Sequence, residues 1–159
     1  MPELLLLIDV DGVLCPMGSG DGEAMVESPD NHVRYALALP ARLATLAKAY
    51  TLVWATSWGQ EANDVLCPLF NLPPLPIVQF GDLTFKVGTT YKLPAVRRFV
   101  RDRPFAAIDD EFGADAHRWA RRRSVPTLLL DVRPDHGLTA DDVHALLQFA
   151  AIGMNRSSA

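Results

Sequence analysis

Four short apolar runs divide the chain, at residues 4–10, 51–56, 105–108 and 126–132. Each is nearly continuous in Leu, Ile, Val, Ala and Phe rather than alternating apolar with polar. Continuous runs of this length predict strands covered on both faces, as in a parallel sheet. Between them lie stretches of helical character, about residues 32–49, 59–69, 92–101, 113–123 and 139–152. Strands alternating with helices predict an α/β fold in three layers, Rossmann-like, with right-handed crossovers and a central, mainly parallel sheet. A further short strand at residues 76–80, where Ile77, Val78 and Phe80 are good strand formers, brings the expected sheet to about five strands.

The breaks in the pattern are equally informative. Pro68, Pro73, Pro74 and Pro76 forbid a helix interior and predict an extended connection. Residues 15–31 are rich in Gly, Ser, Asp and Pro and follow the first strand directly, so a surface loop or small flap is expected at about 13–31. Residues 1–154 are expected to form a single domain, with 155–159 as a flexible tail. At 159 residues, about half of them apolar, the chain is long enough for one full core.

Charge and cysteine content narrow the class. A net charge of −4 with mixed signs carries no global signature of nucleic-acid binding, although a local basic patch is compatible with it. Cys15 and Cys67 are far apart and outside any CxxC spacing, which points to neither a zinc site nor a disulfide framework. A reducing cytoplasm is the expected setting. The opening run from Leu4 to Ile8 has no basic flank and is interrupted by Asp9 and Asp11, so it reads as a strand rather than a signal segment. No stretch reaches the ~18 apolar residues of a membrane span.

Candidate chemistry lies where the apolar runs end. Ligands of an open parallel sheet bind beyond the carboxyl ends of its strands. Here those positions carry Asp9-Val10-Asp11-Gly12, then Thr56-Ser57, then Asp109-Asp110-Glu111. A single acid after a strand often does no more than cap a helix. Four or five aimed at one small volume repel one another unless a cation compensates them. The donors are all hard oxygen, with no convergent histidine or thiolate, which favours Mg²⁺ and, with it, a phosphorylated partner.

These residues resemble the haloacid dehalogenase (HAD) superfamily of phosphatases over nearly the whole chain. The family's Asp-x-Asp-Gly after an apolar strand is matched at Asp9 to Gly12, its strand-end hydroxyl at Thr56, its helix-opening lysine at Lys92 and its acidic pair at Asp109-Asp110. The resemblance implies that Asp9 attacks phosphorus to form an aspartyl-phosphate. Asp11, two residues further along the same extended chain, would protonate the leaving oxygen and later deprotonate water. Gly12 would let the backbone turn beside the phosphate. Thr56, or Ser57 one position on, would bind a phosphoryl oxygen, and Lys92 would neutralise the transferring group. The metal ligands implied are Asp9, the main-chain carbonyl of Asp11, and Asp110, with Asp109 ordering waters or Lys92.

The segment from Trp54 to Asn63, with Gly137-Leu138-Thr139, is similar to compact HAD domains, some of which occur in multidomain RNA-repair proteins. That makes nucleic-acid ends a candidate substrate. No stretch is long enough for a typical cap domain, so an open site is expected, suited to a bulky substrate or to a covering protein partner. His117 and His136 read as ordinary surface histidines, His136 being the better candidate for a role. Arg97, Arg98, Arg101 and Arg103, with Arg121 to Arg123, read as solvated helix faces, the alternative being a phosphate-rich partner. A phosphorelay receiver is disfavoured because its acidic pair precedes its acceptor Asp. A non-catalytic module that binds a phospho-ligand is the main alternative, and intact Asp9 and Asp11 argue against it. Dehalogenase or phosphomutase chemistry fits less well, since the first would not need Asp11 and the second normally has a cap.

Overall fold

The computed structural model describes residues 4–19, 22–81 and 89–157. Their apolar runs form a parallel sheet of four strands: β1 (Leu5–Ile8), β4 (Thr51–Trp54), β5 (Phe105–Asp109) and β6 (Thr127–Asp131), in the order β4-β1-β5-β6. β1 is central because it is the most apolar run, and Leu6, Leu7 and Ile8 are wholly buried. Burying each of these side chains contributes roughly 1.5–3 kcal/mol.

Alternation along the strands sorts the core into two halves. Leu6 and Ile8, with Leu52 and Trp54, face α1 (Leu39–Ala49) and α5 (Ala140–Ser157) through Leu39, Leu43, Leu46 and Leu146. Leu5 and Leu7, with Val53 and Phe105, face α3 (Leu93–Val100) and α4 (Ala114–Arg121) through Ala95, Val96, Val100 and Trp119. The chain leaves β1 for β4 on one side and then returns past it to β5 and β6 on the other. The reversal of strand order falls at β1, so a crevice opens beyond its carboxyl end.

Several expected elements differ in detail. Residues 32–38 do not extend the first helix. β2 (Met25–Glu27) and β3 (Arg34–Ala36) form an antiparallel hairpin instead, and α1 begins at Leu39. Pro40 explains this start, since proline suits the first turn of a helix but disfavours helical backbone before it. The hairpin lies on the protein's core through Tyr35, whose ring meets Phe70 edge-on at 5.1 Å.

The strand expected at residues 76–80 shrinks to a single parallel bridge, Trp54 to Ile77, with Trp54 N–H donating to Pro76 O and Val78 N–H to Trp54 O. Pro74 and Pro76 have no N–H to extend the ladder. The helix near 59–69 contains a π-helical turn, Ala62–Leu66, running into the short α2 (Cys67–Leu69). The buried Asn63 organises this region. Its Oδ1 accepts from the Trp54 indole at 2.9 Å and from Leu75 N–H at 2.8 Å, while its amide donates to Leu75 O at 2.9 Å. The pairing of Trp54 with Asn63 thus fastens the proline-rich connection to β4. α5 runs on to Ser157, beyond the expected end at 152 and into the stretch expected as a tail, of which residues 158–159 lie outside the described residues.

Candidate active site

Parallel register brings the three strand ends level. Ile8 pairs with Trp54 on one side and with Ile108 on the other, so Asp9 stands beside Ala55 and Asp109. Asp9 and Asp109 are both buried, and carboxylate oxygens of Asp9, Asp109 and Asp110 all lie within 4.8 Å of one another. Asp9 Oδ1 also accepts from Val10 N–H at 2.8 Å, and Asp109 Oδ1 from Glu111 N–H at 3.0 Å, which fixes both rotamers.

Lys92 sits immediately before α3 and points inward between these acids. It is buried, not solvated, and its Nζ lies 2.9 Å from Asp9 Oδ2, 2.8 Å from Asp109 Oδ2 and 3.2 Å from Ala55 O. Burial works against its charge, but Asp109 and Asp9 outweigh burial and raise its pKa. The segment ahead of it is locked in turn. Thr90 N–H and hydroxyl donate to Asp115, and Gly113 N–H donates to Thr90 Oγ1 at 2.7 Å, tying the approach to Lys92 to the start of α4. Nothing in the sequence marked Thr90 or Asp115 for this task.

One ammonium does not balance three carboxylates. Burial raises the Asp9 pKa in spite of Lys92, and burial, with the hydrogen bond and charge of Asp109, raises Asp110 from 3.8 to about 6. The cluster is therefore short of positive charge. Its exclusively oxygen donors fit a hard divalent cation such as Mg²⁺ better than zinc or copper.

Asp110 gives this shortage a measurable consequence. An acid whose pKa rises on folding holds its proton more tightly in the folded chain. The resulting stabilisation is complete below the unfolded pKa of 3.8 and is lost as pH rises through about 6. The metal-free protein is expected to lose thermal stability through this group as pH increases across that window. Asp110→Asn, neutral at every pH, should flatten this part of a Tm-against-pH profile. Parallel profiles for the two proteins would assign the slope to another group.

Gly12 is required both by its backbone turn and by a close approach. Its φ is +75°, and a Cβ there would lie 2.3 Å from Asp110 Oδ2 and 3.1 Å from Pro134 Cβ. The missing side chain makes room for the third carboxylate. Asp11, by contrast, is exposed, and its side chain stands outside the three-acid group. The indole N–H of Trp58 donates to its Oδ2 at 3.1 Å. Trp58 thus orients Asp11, a role that sequence reasoning missed because the two are distant in the chain and meet only through the adjacency of β1 and β4.

Thr56 is buried at the end of β4 and its Oγ1 accepts from Trp58 N–H at 3.3 Å, whereas Ser57 is exposed. Of the two hydroxyls, Thr56 is the one fixed within the site. His117 is bound to Asp131 at 2.8 Å, and His136 Nε2 lies 3.6 Å from Asp135. Both histidines engage acids other than the central three.

The loop carrying Asp11 and Gly12 is held from the opposite end of the chain. Leu138 N–H donates to Val13 O at 2.7 Å and Met17 N–H to Pro134 O at 2.7 Å. At Gly137 (φ +69°) a Cβ would lie 2.6 Å from Val13 O. Arg42 fastens the same region by donating to Leu138 O at 3.1 Å and to Glu23 at 2.9 Å.

Residues 5–143 match the family described as the HAD domain in Swiss Army Knife RNA repair proteins. No curated protein gives a significant match. A solved structure described as a HAD superfamily (subfamily III A) hydrolase from Legionella pneumophila is similar at 14% identity and a TM-score of 0.49, over 98% of this chain and 86% of that one. With a family match that spans residues 5–143, most of its length, the chain belongs to the HAD domains of the Swiss Army Knife RNA repair group.

Proposed function

We propose that this domain is a magnesium-dependent phosphohydrolase that acts through an aspartyl-phosphate on Asp9. The observation that carries the reading is the closure of carboxylate oxygens of Asp9, Asp109 and Asp110 to within 4.8 Å of one another, with a single buried ammonium bound to the first two. That arrangement is costly for stability alone and useful for binding a cation with a phosphate. In this reading Asp9, Asp109, Asp110 and the carbonyl of Asp11 hold Mg²⁺, which when bound neutralises the acids and polarises the phosphoryl group.

Asp9 is the nucleophile, fixed by Val10 N–H and by Lys92. Its attack forms an Asp9–phosphorus bond as the bond to the leaving oxygen breaks, and Asp11 supplies the proton to that oxygen. Water then attacks phosphorus, giving its proton to Asp11, and releases inorganic phosphate and Asp9. Trp58 keeps Asp11 aimed without titrating, since an indole N–H is a donor only. Thr56 and Lys92 stabilise the phosphoryl oxygens, with Ser57 and Gly12 lining the approach.

We further read residues 1–154 as one capless domain. Support comes from the short hairpin after β1 and from the π-helical turn, α2 and the single bridge described between Thr56 and Lys92. An open site suits a bulky substrate, and the family's occurrence in RNA repair proteins favours an RNA-end phosphate. Among the described residues no helix is long and apolar enough to cross a membrane. The free thiols of Cys15 and Cys67 fit a cytoplasmic setting.

The test combines turnover with metal binding. Hydrolysis of an aryl phosphate and of 3′- or 5′-phosphorylated oligonucleotides should require Mg²⁺. Mg²⁺ should also raise the Tm of the wild type, and Asp110→Ala should shrink that shift while the metal-free Tm falls little or rises. Equal Mg²⁺-induced shifts in the two proteins would place the ion elsewhere.

A further inference from the structure

α3 and α4 pack side by side on one face of the sheet, and their carboxyl-terminal ends bring together arginines that the sequence keeps in two groups. The end of α3 supplies Arg97, Arg98, Arg101 and Arg103, and the end of α4 supplies Arg118, Arg121, Arg122 and Arg123. These are eight of the fifteen lysines and arginines of a chain whose net charge is −4, so the rest of the molecule is markedly acidic.

Contacts between the two ends make them one surface. Arg123 of the second group donates to Arg101 O at 2.8 Å and to Arg103 O at 2.7 Å of the first. Trp119 lies between Arg97 and Arg123, with guanidinium carbons 5.9 and 4.9 Å from its ring. Arg103 is turned back onto Phe99 O and Val100 O. Three arginines thus build the scaffold. The other five, Arg98, Arg101, Arg118, Arg121 and Arg122, are exposed, with no acidic partner within ion-pair distance among the described residues. Acids of the same stretch face elsewhere: Asp109 and Asp110 lie at the opposite end of β5, and Asp115 is bonded to Thr90. Asp102 adjoins the arginines.

Helix C-termini favour a cation or two, each contributing about 0.3–1 kcal/mol. They do not call for five unpaired guanidiniums against mutual repulsion. The group contains no lysine, and the planar guanidinium fork is the side chain that matches phosphate bidentately. A groove is lined by Arg98, Phe99, Arg101, Asp102 and Arg103, in which the partly buried Phe99 ring carries the Arg103 guanidinium 5.1 Å from its centre. The large exposed apolar side chains, Met17, Leu37 and Ile152, lie on other segments, which tells against a membrane surface here.

We propose that this arginine face binds the phosphate backbone of a single nucleic-acid strand, at the end of the sheet opposite the acid cluster. The surface holds the body of a strand by charge, without reading its sequence, and stands apart from the chemistry of Asp9.

The experiment is fluorescence anisotropy with labelled 20-nucleotide RNA and DNA strands bearing hydroxyls at both ends, without Mg²⁺. Wild type should bind at least one of them. The log–log salt slope should be about −3.5 if five phosphates are neutralised. Arg98→Gln/Arg101→Gln/Arg122→Gln should weaken binding at least about tenfold and leave aryl-phosphate turnover and the thermal melt unchanged. Ala44→Glu/Lys48→Glu, with the same change in net charge on α1, should bind as wild type. Unaltered binding in the arginine variant overturns the proposal, as does equal loss in the α1 variant. Tighter binding of polyglutamate than of either strand would give the face to an acidic polypeptide and also overturn it. Absence of aryl-phosphate turnover in the wild type would count against the acid cluster and not against this surface, whereas its loss only in the arginine variant would overturn the separation proposed here.

Discussion

Asp9→Asn is expected to abolish turnover, by a factor on the order of 10⁶ where a nucleophile works as part of a unit, while leaving the fold at least as stable as the wild type. The two halves of that expectation share one cause. Asp9 is buried and its pKa is raised by that burial, so its ionised form costs folding energy. The amide keeps the shape and removes the charge, and Lys92 retains Asp109 at 2.8 Å as its partner. A buried two-to-one group becomes a one-to-one pair. Phospho-enzyme trapped by acid quench should vanish with the substitution, and the Tm should hold or rise. Turnover equal to wild type would remove Asp9 from the nucleophile role, whereas a collapsed melt would show that the acid serves the fold.

Lys92→Met should have the opposite balance, damaging the fold as well as the site. Methionine fills a similar volume but leaves Asp9 and Asp109 buried without their counter-ion, a change that costs about 3–5 kcal/mol when one partner of a buried pair is removed. The loss should be largest at neutral pH. It should shrink as pH falls, because Asp9, whose pKa burial already raises, can then take up a proton in place of the missing ammonium. In denaturant melts, the gap between variant and wild type should therefore narrow from pH 7 to pH 5. Activity should drop about 10²–10³-fold even where the fold is restored, the usual cost of losing one preorganised charge donor. A pH-independent stability gap would mean that Lys92 contributes through packing rather than charge.

The positions of these residues were legible because parallel sheets place chemistry where apolar runs stop. Asp9, Thr56 and Asp109 could be read as strand-end residues from their place after three runs, and the register of β1 with β4 and β5 sets Asp9 beside Ala55 and Asp109. Their individual environments were not legible. Whether Lys92 faced water or the acids depended on the Thr90–Asp115 bonds that precede it, which join segments distant in sequence. The same holds for Trp58 on Asp11.

In the fold, the hairpin at Met25 to Ala36 was hidden because its strands are only three residues long and β3 abuts a helix, so the apolar spacing blended with that of α1. Pro40 was the available signal. Four strands rather than about five make up the described sheet because proline backbone thins the last pairing to one bridge. The two arginine groups looked like separate solvated faces until Arg123 joined them across α3 and α4.

The clasp between Val13 and Leu138 bears on the order of events as the chain is made. The loop with Asp11 and Gly12 follows the first strand, yet its fastening comes from Pro134 and Leu138, which follow the last strand of the sheet. β1 itself has neighbours on both sides only once β5 exists. Contacts spanning so much of the chain carry a large loop-closure cost and form late. A nascent chain can therefore bury Leu43 and Leu46 against β1 and β4 before the loop with Asp11 and Gly12 is set. Asp9 and Asp109 meet as soon as β5 joins β1, whereas the loop with Asp11 and Gly12 is fastened only when Pro134 and Leu138 arrive, which makes that short segment a late step of assembly.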